Sequence, residues 1–298
     1  MTGRIVHTGQ AVVDLVMRVG ALPPAGGDVL ASDVRLTAGG GFNVMSAAAR
    51  AGAAVVYAGE HGIGRFGDIV REALAAEGIA VVQPPVSPDT GVCVVLVDAT
   101  GERTFITETG AEGTLTAEHL ARVELRPDDL IYLSGYSLVR ESNREALLSW
   151  LPGLTGQPVL LDPGPLAADV PADIWHALLP RVDILSCNEA ETRQLSTLDG
   201  VQAIPTRIVR LGAAGCDVTA DRVTTRVPGF PVDPVDTNGA GDAHAGVLAA
   251  GLLEGLDLLT AAARANAAAA MAVTKYGPAT APDRASVDEF LTNRCAAG

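Results

Sequence analysis

The chain has 298 residues, 48% of them hydrophobic and 19% charged, which suits one large α/β domain or two moderate ones. Its formal net charge of −14 removes the broad basic face that a nucleic-acid backbone needs, and leaves room for local pockets that take a small anion. Cys93, Cys187, Cys216 and Cys295 lie far apart with no C-x-x-C pair, which argues against a disulfide framework and a cysteine zinc site and fits a reducing cytoplasm. The N-terminal MTGRIVHTGQAVVDLVM has no cleavable signal pattern, and the apolar stretches are broken by Gly, Asn or charge. A cytoplasmic protein without a membrane span is expected.

In chain order, RIVHTG reads as a strand, with Asp14 of GQAVVD on it or just past it. GDVLASDVRLTAGG has period-two character, and GGFNVMSAAARAG reads as a helix of small residues before the strand AAVVYAG. RFGDIVREALAAEG is an amphipathic helix stopped by Gly78. TGVCVVLVDATGERTFIT again alternates with period two, with ATGE as a hairpin turn. DLIYLSG, PVLLDPGP, VDILSCN and TRIVRLG are buried-strand candidates, each stopping at a polar or glycine-containing turn. This alternation predicts a largely parallel sheet covered by helices, with ligands at the C-terminal ends of the strands. The two period-two segments predict a small separate sheet.

Two glycine stretches carry the chemistry. In DTNGAGDAHAGVLAAGLLEG, Asp242 falls where a helix begins. An acid there can serve the helix macrodipole, but the N–H groups of Gly239, Ala240 and Gly241 can equally cradle a phosphate. In AGGGFN, three glycines allow a tight turn or a close backbone approach to a ligand, and Asn43 adds both a donor and an acceptor. Asp14, Gly39 and Asn43 together look like a reader of polyol hydroxyls, since an acid in an apolar strand needs a partner.

Other motifs count for less. GIGRFG matches a dinucleotide fingerprint, yet two residues separate it from the preceding strand. The acid expected after the next strand is also missing: Gln83 stands there and Asp89 comes later. No Gly-Lys pair exists, so there is no Walker A loop, and the five histidines show no metal-like spacing. YLSGYS, with Ser134, reads as a strand end better than as a hydrolase elbow.

The chain resembles the ribokinase-like, or PfkB, carbohydrate kinases over essentially its whole length. GGGFNVMSAAARAG and DTNGAGDAHAG match the family's two signature regions in order, with TGVCVVLVDATGERTF, DILSCNEAE and IVRLGAAG as further landmarks between them. The resemblance implies a single kinase domain over 1–298, a three-layer α/β/α sandwich with a mostly parallel central sheet. A small β-sheet lid is expected from about residues 10–38 and 88–108.

By position, the resemblance makes Asp242 the catalytic base and Gly239, Ala240 and Gly241 the anion hole for the phosphoryl group of ATP. Asp14, Gly39, Gly40 and Asn43 are similar to the family's sugar readers. Asn188 and Glu191 match N-x-x-E, implying that Glu191 places Mg²⁺ through water, and their i, i+3 spacing puts both on one helix face. Arg210, Gly212 and Gly215 would line the nucleotide, with Asn266 near the adenine. Asp236, with carbonyls near Lys275 and Gly277, resembles a monovalent-cation (K⁺) site, although Ala281 stands where ribokinases tend to have serine.

AGGDVL and DTGVCV lack the cation that phosphosugar kinases use in those segments, although Arg35 and Arg103 could reach inward. An unphosphorylated sugar is therefore the expected acceptor. A nucleoside is the alternative, with Phe42, Phe66, Phe105 and Tyr136 available as stacking surfaces. A phosphosugar kinase, a non-catalytic binding protein and a dinucleotide oxidoreductase rank below these. The resemblance further implies a homodimer formed through the lid.

Overall fold

The computed structural model describes residues 3–295; residues 1–2 and 296–298 and the side chain of Cys295 lie outside the described residues, so the expected 1–298 domain runs past them at both ends. Thirteen strands are described: β1 Ile5–His7, β2 Ala11–Arg18, β3 Asp33–Gly40, β4 Val55–Tyr57, β5 Ala80–Val81, β6 Val92–Val97, β7 Arg103–Glu108, β8 Leu130–Ser134, β9 Val159–Asp162, β10 Ile184–Asn188, β11 Thr206–Arg210, β12 Gly215–Ala220 and β13 Val223–Pro228. The helices are α1 Gly41–Arg50, α2 Arg65–Ala76, α3 Ala117–Ala121, α4 Tyr136–Val139, α5 Glu141–Trp150, α6 Ala172–Leu178, α7 Glu189–Leu195, α8 Ala240–Glu254, α9 Leu258–Ala272 and α10 Arg284–Cys295.

Nine strands form one sheet in the order β13-β12-β11-β10-β9-β8-β1-β4-β5, parallel from β11 to β5 and antiparallel at the β11–β12 and β12–β13 pairs. Strands covered on both faces read as continuous apolar runs, and their side chains alternate between two cores. Ile5, Tyr57, Leu130, Tyr132 and Ile208 pack with α1, α2, α8, α9 and α10. Val6, Val56, Ile131, Leu133 and Leu161 pack with α3 to α7 on the other side. The expected α/β sandwich is the observed one.

Small residues decide how closely the helices of the first layer pack. A Cβ on Gly246 of α8 would collide with the Val44 carbonyl of α1, so the two backbones touch. That approach carries the first turn of α1 to the first turn of α8.

The second sheet has the order β3-β2-β6-β7, with β2–β6 parallel and its two other pairs antiparallel. β6 and β7 are joined through the expected turn, closed by the Gly101 N–H donating to the Asp98 carbonyl at 3.0 Å. Asp14 is the fourth residue of β2, a strand of this second sheet, and not an extension of β1. A third departure from the βα alternation, the β12–β13 hairpin, had no sequence signal strong enough to single it out.

Candidate active site

Strands β9, β10 and β11 end side by side, and each delivers a polar group at its C-terminal end. Arg210 closes β11; its Nη1 donates to Asp162 Oδ2 at 2.9 Å and Ser186 Oγ at 2.8 Å, and its Nη2 to Glu191 Oε2 at 3.1 Å. Burial works against the guanidinium's charge, but the carboxylates of Asp162 and Glu191 outweigh it and raise its pKa. Burial, then the charge of Asp162, raises Glu191, with Arg210 opposing.

Asn188 and Glu191 meet, but not as neighbours on one helix face. Asn188 is the N-cap of α7 in extended backbone. Its side chain accepts from the Glu191 N–H at 2.9 Å, while Glu191 Oε2 accepts from the Asn188 N–H at 2.7 Å. The spacing is that of a capping box, because a residue at the cap has left the helical backbone on which i, i+3 faces are defined. The box still fixes Glu191 against Arg210.

At the start of α8 the situation is opposite. Gly239 has a left-handed φ of 74°, no side chain caps the helix, and a Cβ there would collide with the Pro278 carbonyl. A Cβ placed on Gly241 meets nothing nearer than the Arg210 guanidinium at 3.6 Å. The first turn of this 15-residue helix thus opens toward Arg210 with its N–H groups unclaimed by any side chain.

Asp242 in that turn accepts from Asn43 Nδ2 at 3.1 Å. Burial pushes its carboxyl up to about 6; Asn43 pulls it down, Asp162 up, Arg210 down and Glu191 up. Asp14 lies close by, pushed up to about 7 by burial first and the charge of Asp242 second. Gly39 is glycine because a Cβ would run into the Asp14 carboxylate, and Gly40 holds a φ of 60° to turn β3 into α1. Asn43 Oδ1 is buried and has no partner. Two carboxylates and an orphaned carbonyl oxygen converge here, all of them acceptors that hydroxyl donors could satisfy.

The remaining predicted residues divide. Gly212 and Gly215, with φ of 58° and 93°, form the tight β11–β12 turn beside Arg210. Asn266 Nδ2 donates to the Val227 and Pro228 carbonyls at 3.1 Å each, so its amide braces β13. Asp236 accepts from the N–H groups of Asn238 at 2.9 Å and Gly277 at 3.1 Å, whereas Lys275 is exposed. The cation facing Asp236 is the Arg103 guanidinium from β7.

A cavity of about 490 Å³ lies between the second sheet and the main body. Arg18, Arg35 and Arg103 line it together with Asp33, Glu72 and Asp236. Arginines do therefore face inward, including Arg18, which its segment gave no reason to suspect. Each has a local partner: Arg35 pairs with Asp33 at 2.9 Å, Arg103 with Asp236, and Arg18 lies 4.7 Å over the Tyr276 ring. Asp162 and Ser186 join the candidate site through Arg210 without having been expected there; the acid closing the apolar run VLLD was the available signal.

GIGRFG is filled by the protein itself. Asp89 accepts from the N–H groups of Gly64 at 3.0 Å, Phe66 at 2.9 Å and Gly67 at 2.9 Å, occupying the place a phosphate would take at the start of α2.

Residues 2–284 match the model of the pfkB family carbohydrate kinases. The chain is 32% identical over 296 residues to an uncharacterised sugar kinase of Escherichia coli, covering 94% of this chain and 91% of that one. It is 28% identical over 295 residues to ribokinase of Bacillus subtilis, covering 95% and 98%. The crystal structure of ribokinase from Thermotoga maritima superposes with a TM-score of 0.81 at 26% identity, covering 97% of this chain and 99% of that one. The uncapped glycine turn, the acid behind it and these likenesses agree: the chain belongs to the pfkB family and is an ATP-dependent carbohydrate kinase.

Proposed function

We propose that this kinase transfers the γ-phosphoryl group of ATP to a hydroxymethyl group of an unphosphorylated sugar. Asp242 takes the hydroxyl proton as the sugar oxygen attacks the γ-phosphorus, the bond to the β–γ bridging oxygen breaks, and ADP leaves. The N–H groups of Gly239, Ala240 and Gly241, backed by Arg210, receive the charge on the transferring group. Asp14, Gly39, Gly40 and Asn43 hold the other sugar hydroxyls. The observation that carries this reading is an ionisable acid, pushed up to about 6, inside the first turn of a long helix that no side chain caps.

Asn188, Arg210, Gly212 and Gly215 would flank the nucleotide, while Asn266 would act only by bracing β13. Among the described residues no group of three or more His, Cys, Asp or Glu forms a metal cage. Mg²⁺ does not ask for one, since it keeps waters and takes one or two carboxylates beside phosphate, which Glu191 and Asp162 offer. Bound there, it would neutralise phosphate charge. The residues fit a monovalent cation less well, because Arg103 already matches Asp236.

Arg35 and Arg103, the arginines within reach of the acceptor side, are already paired with Asp33 and Asp236, which supports an uncharged acceptor. A coupled ATP-consumption screen over pentoses, hexoses, their phosphate esters and nucleosides tests this. Free sugars should give the higher kcat/KM; a strong preference for an ester reverses the assignment. The partly exposed Tyr136 ring, whose phenol is pushed up to about 12 by burial and then by Asp242, favours a nucleoside as second reading.

The second sheet would act as a lid, its inner face carrying Asp14. Its outer face is apolar and half-open, with Leu15, Met17, Leu36, Val94 and Leu96 around the exposed Val34 and Ile106. A second copy covering that face makes the homodimer. A monomer by light scattering at micromolar concentration removes it. No helix among the described residues is long and apolar enough to cross a membrane, and a cytoplasmic site of action is part of the same proposal.

A further inference from the structure

Asp236 joins three segments. Its carboxylate takes the Arg103 guanidinium from the second sheet, the Asn238 N–H from the turn leading into α8, and the Gly277 N–H from the loop after α9. That loop in turn touches the anion site, because Pro278 presents its carbonyl to Gly239, the residue that starts α8. Arg103 lies on the inner face of its sheet, in one cross-strand row with Val97 and Arg18. Arg18 leans on Tyr276 in the same loop. Two arginines of one sheet row therefore grip the two segments that shape the start of α8.

We propose that Arg103 is a positioning residue for phosphoryl transfer: through Asp236 it holds the turn before α8 in shape only while the second sheet is seated over the acceptor site. This rests on the kinase reading above. With the sheet lifted, Asp236 keeps only its two N–H donors, and an unmatched carboxylate stands beside the helix start that must receive phosphate. Small displacements there are costly, since misplacing reacting groups by about 1 Å lowers rates about 100-fold. The arrangement links the presence of the lid over the sugar to the geometry of the anion site.

The test uses Arg103→Met, Arg103→Lys, Asp236→Asn and the Arg103→Met/Asp236→Asn double variant of the full chain. Arg103→Met should lower kcat about 10- to 100-fold, with the KM values for ATP and sugar changed less than about threefold. Lysine at the position, or added guanidinium ion, should restore part of the loss. The double variant should be no slower than Arg103→Met alone, because both changes act through one contact. A readout independent of turnover is hydrogen exchange in the substrate-free protein: the amides of Asn238 and Gly277 should exchange at least about tenfold faster in Arg103→Met. A kcat within twofold of wild type, a loss confined to KM, or fully additive losses in the double variant overturns the proposal, as does unchanged exchange at both amides. If the wild type phosphorylates no sugar or nucleoside, the functional reading fails while the exchange result still judges the coupling.

Discussion

The starts of α2 and α8 are both glycine-rich turns that open a helix, and they have opposite fates. At α2, Asp89 fills the ring of N–H groups, and Gly64 and Gly67 are glycine because a Cβ would strike the Asp89 carboxylate or the Gly62 carbonyl. At α8 no side chain caps the turn, and a Cβ on Gly241 would only touch the Arg210 guanidinium at van der Waals distance. The same local chemistry thus gives a closed structural joint in one place and an anion site in the other. Glycine content does not distinguish them; what occupies the N–H groups does.

The largest effect is expected at Asp242. Asp242→Asn should lower kcat by at least about 10²-fold, the usual contribution of a general base. It should also stabilise the protein at pH 8. The folded carboxyl is pushed up to about 6, so the native state binds more protons than the unfolded chain between about pH 4 and 6, and stability falls as pH rises through that window. Removing the charge removes that penalty. A variant that is both active and no more heat-stable than wild type at pH 8 contradicts the assignment.

Asp89→Ala should do the reverse, costing roughly 3 kcal/mol of stability through its lost charged hydrogen bonds, with kcat nearly unchanged. Burial works against the Asp89 charge, but the N–H groups of Phe66, Gly67, Thr90 and Gly64 outweigh it and hold its pKa below the ordinary range. Its stabilisation is therefore present at neutral pH and lost as pH falls below that range. The difference in denaturant midpoint between variant and wild type should shrink on acidification; a constant difference would place its cause elsewhere.

One substitution made at both turns sharpens the contrast. Gly67→Ala should destabilise by about 1–3 kcal/mol through overpacking, without touching the site. Gly241→Ala should leave Tm unchanged or slightly higher, since alanine favours helix, while lowering kcat/KM for ATP about tenfold by crowding the anion site. Equal effects of the two on Tm would mean that the starts of α2 and α8 do not differ in packing.

The smallest effect lies in the pH profile. kcat/KM should rise with pH through about 6 as Asp242 ionises. Asn43→Ala removes the hydrogen bond that favours the charged form, so the acid limb should move upward by less than about one pH unit. A downward shift would contradict the bond.

Much of this was legible locally. Short, mostly apolar runs placed β4, β8, β9, β10 and β11, since a strand covered on both faces is largely apolar. Asp242, Asn43 and Asp14 were legible as polar groups in apolar or glycine-rich surroundings, where burial without a partner is costly. Asn188 and Glu191 meet as a capping box and not on one helix face, because the helix boundary falls between them. The hydrogen bonds of Asn266 to β13 had no local signal, because the hairpin that receives them carried no strong pattern of its own.

The sequence alone determined which turns could bind an anion and which acids stood near them, because φ freedom, free N–H groups and strand pattern are properties of a few adjacent residues. Tertiary structure decided which turn stays open. Asp89 reaches α2 from 22 to 25 residues away, and Arg103 reaches Asp236 across 133. Contacts of that range depend on how strands are ordered and how sheets face one another, and no local pattern encodes whether a distant carboxylate or guanidinium will arrive at a given helix end.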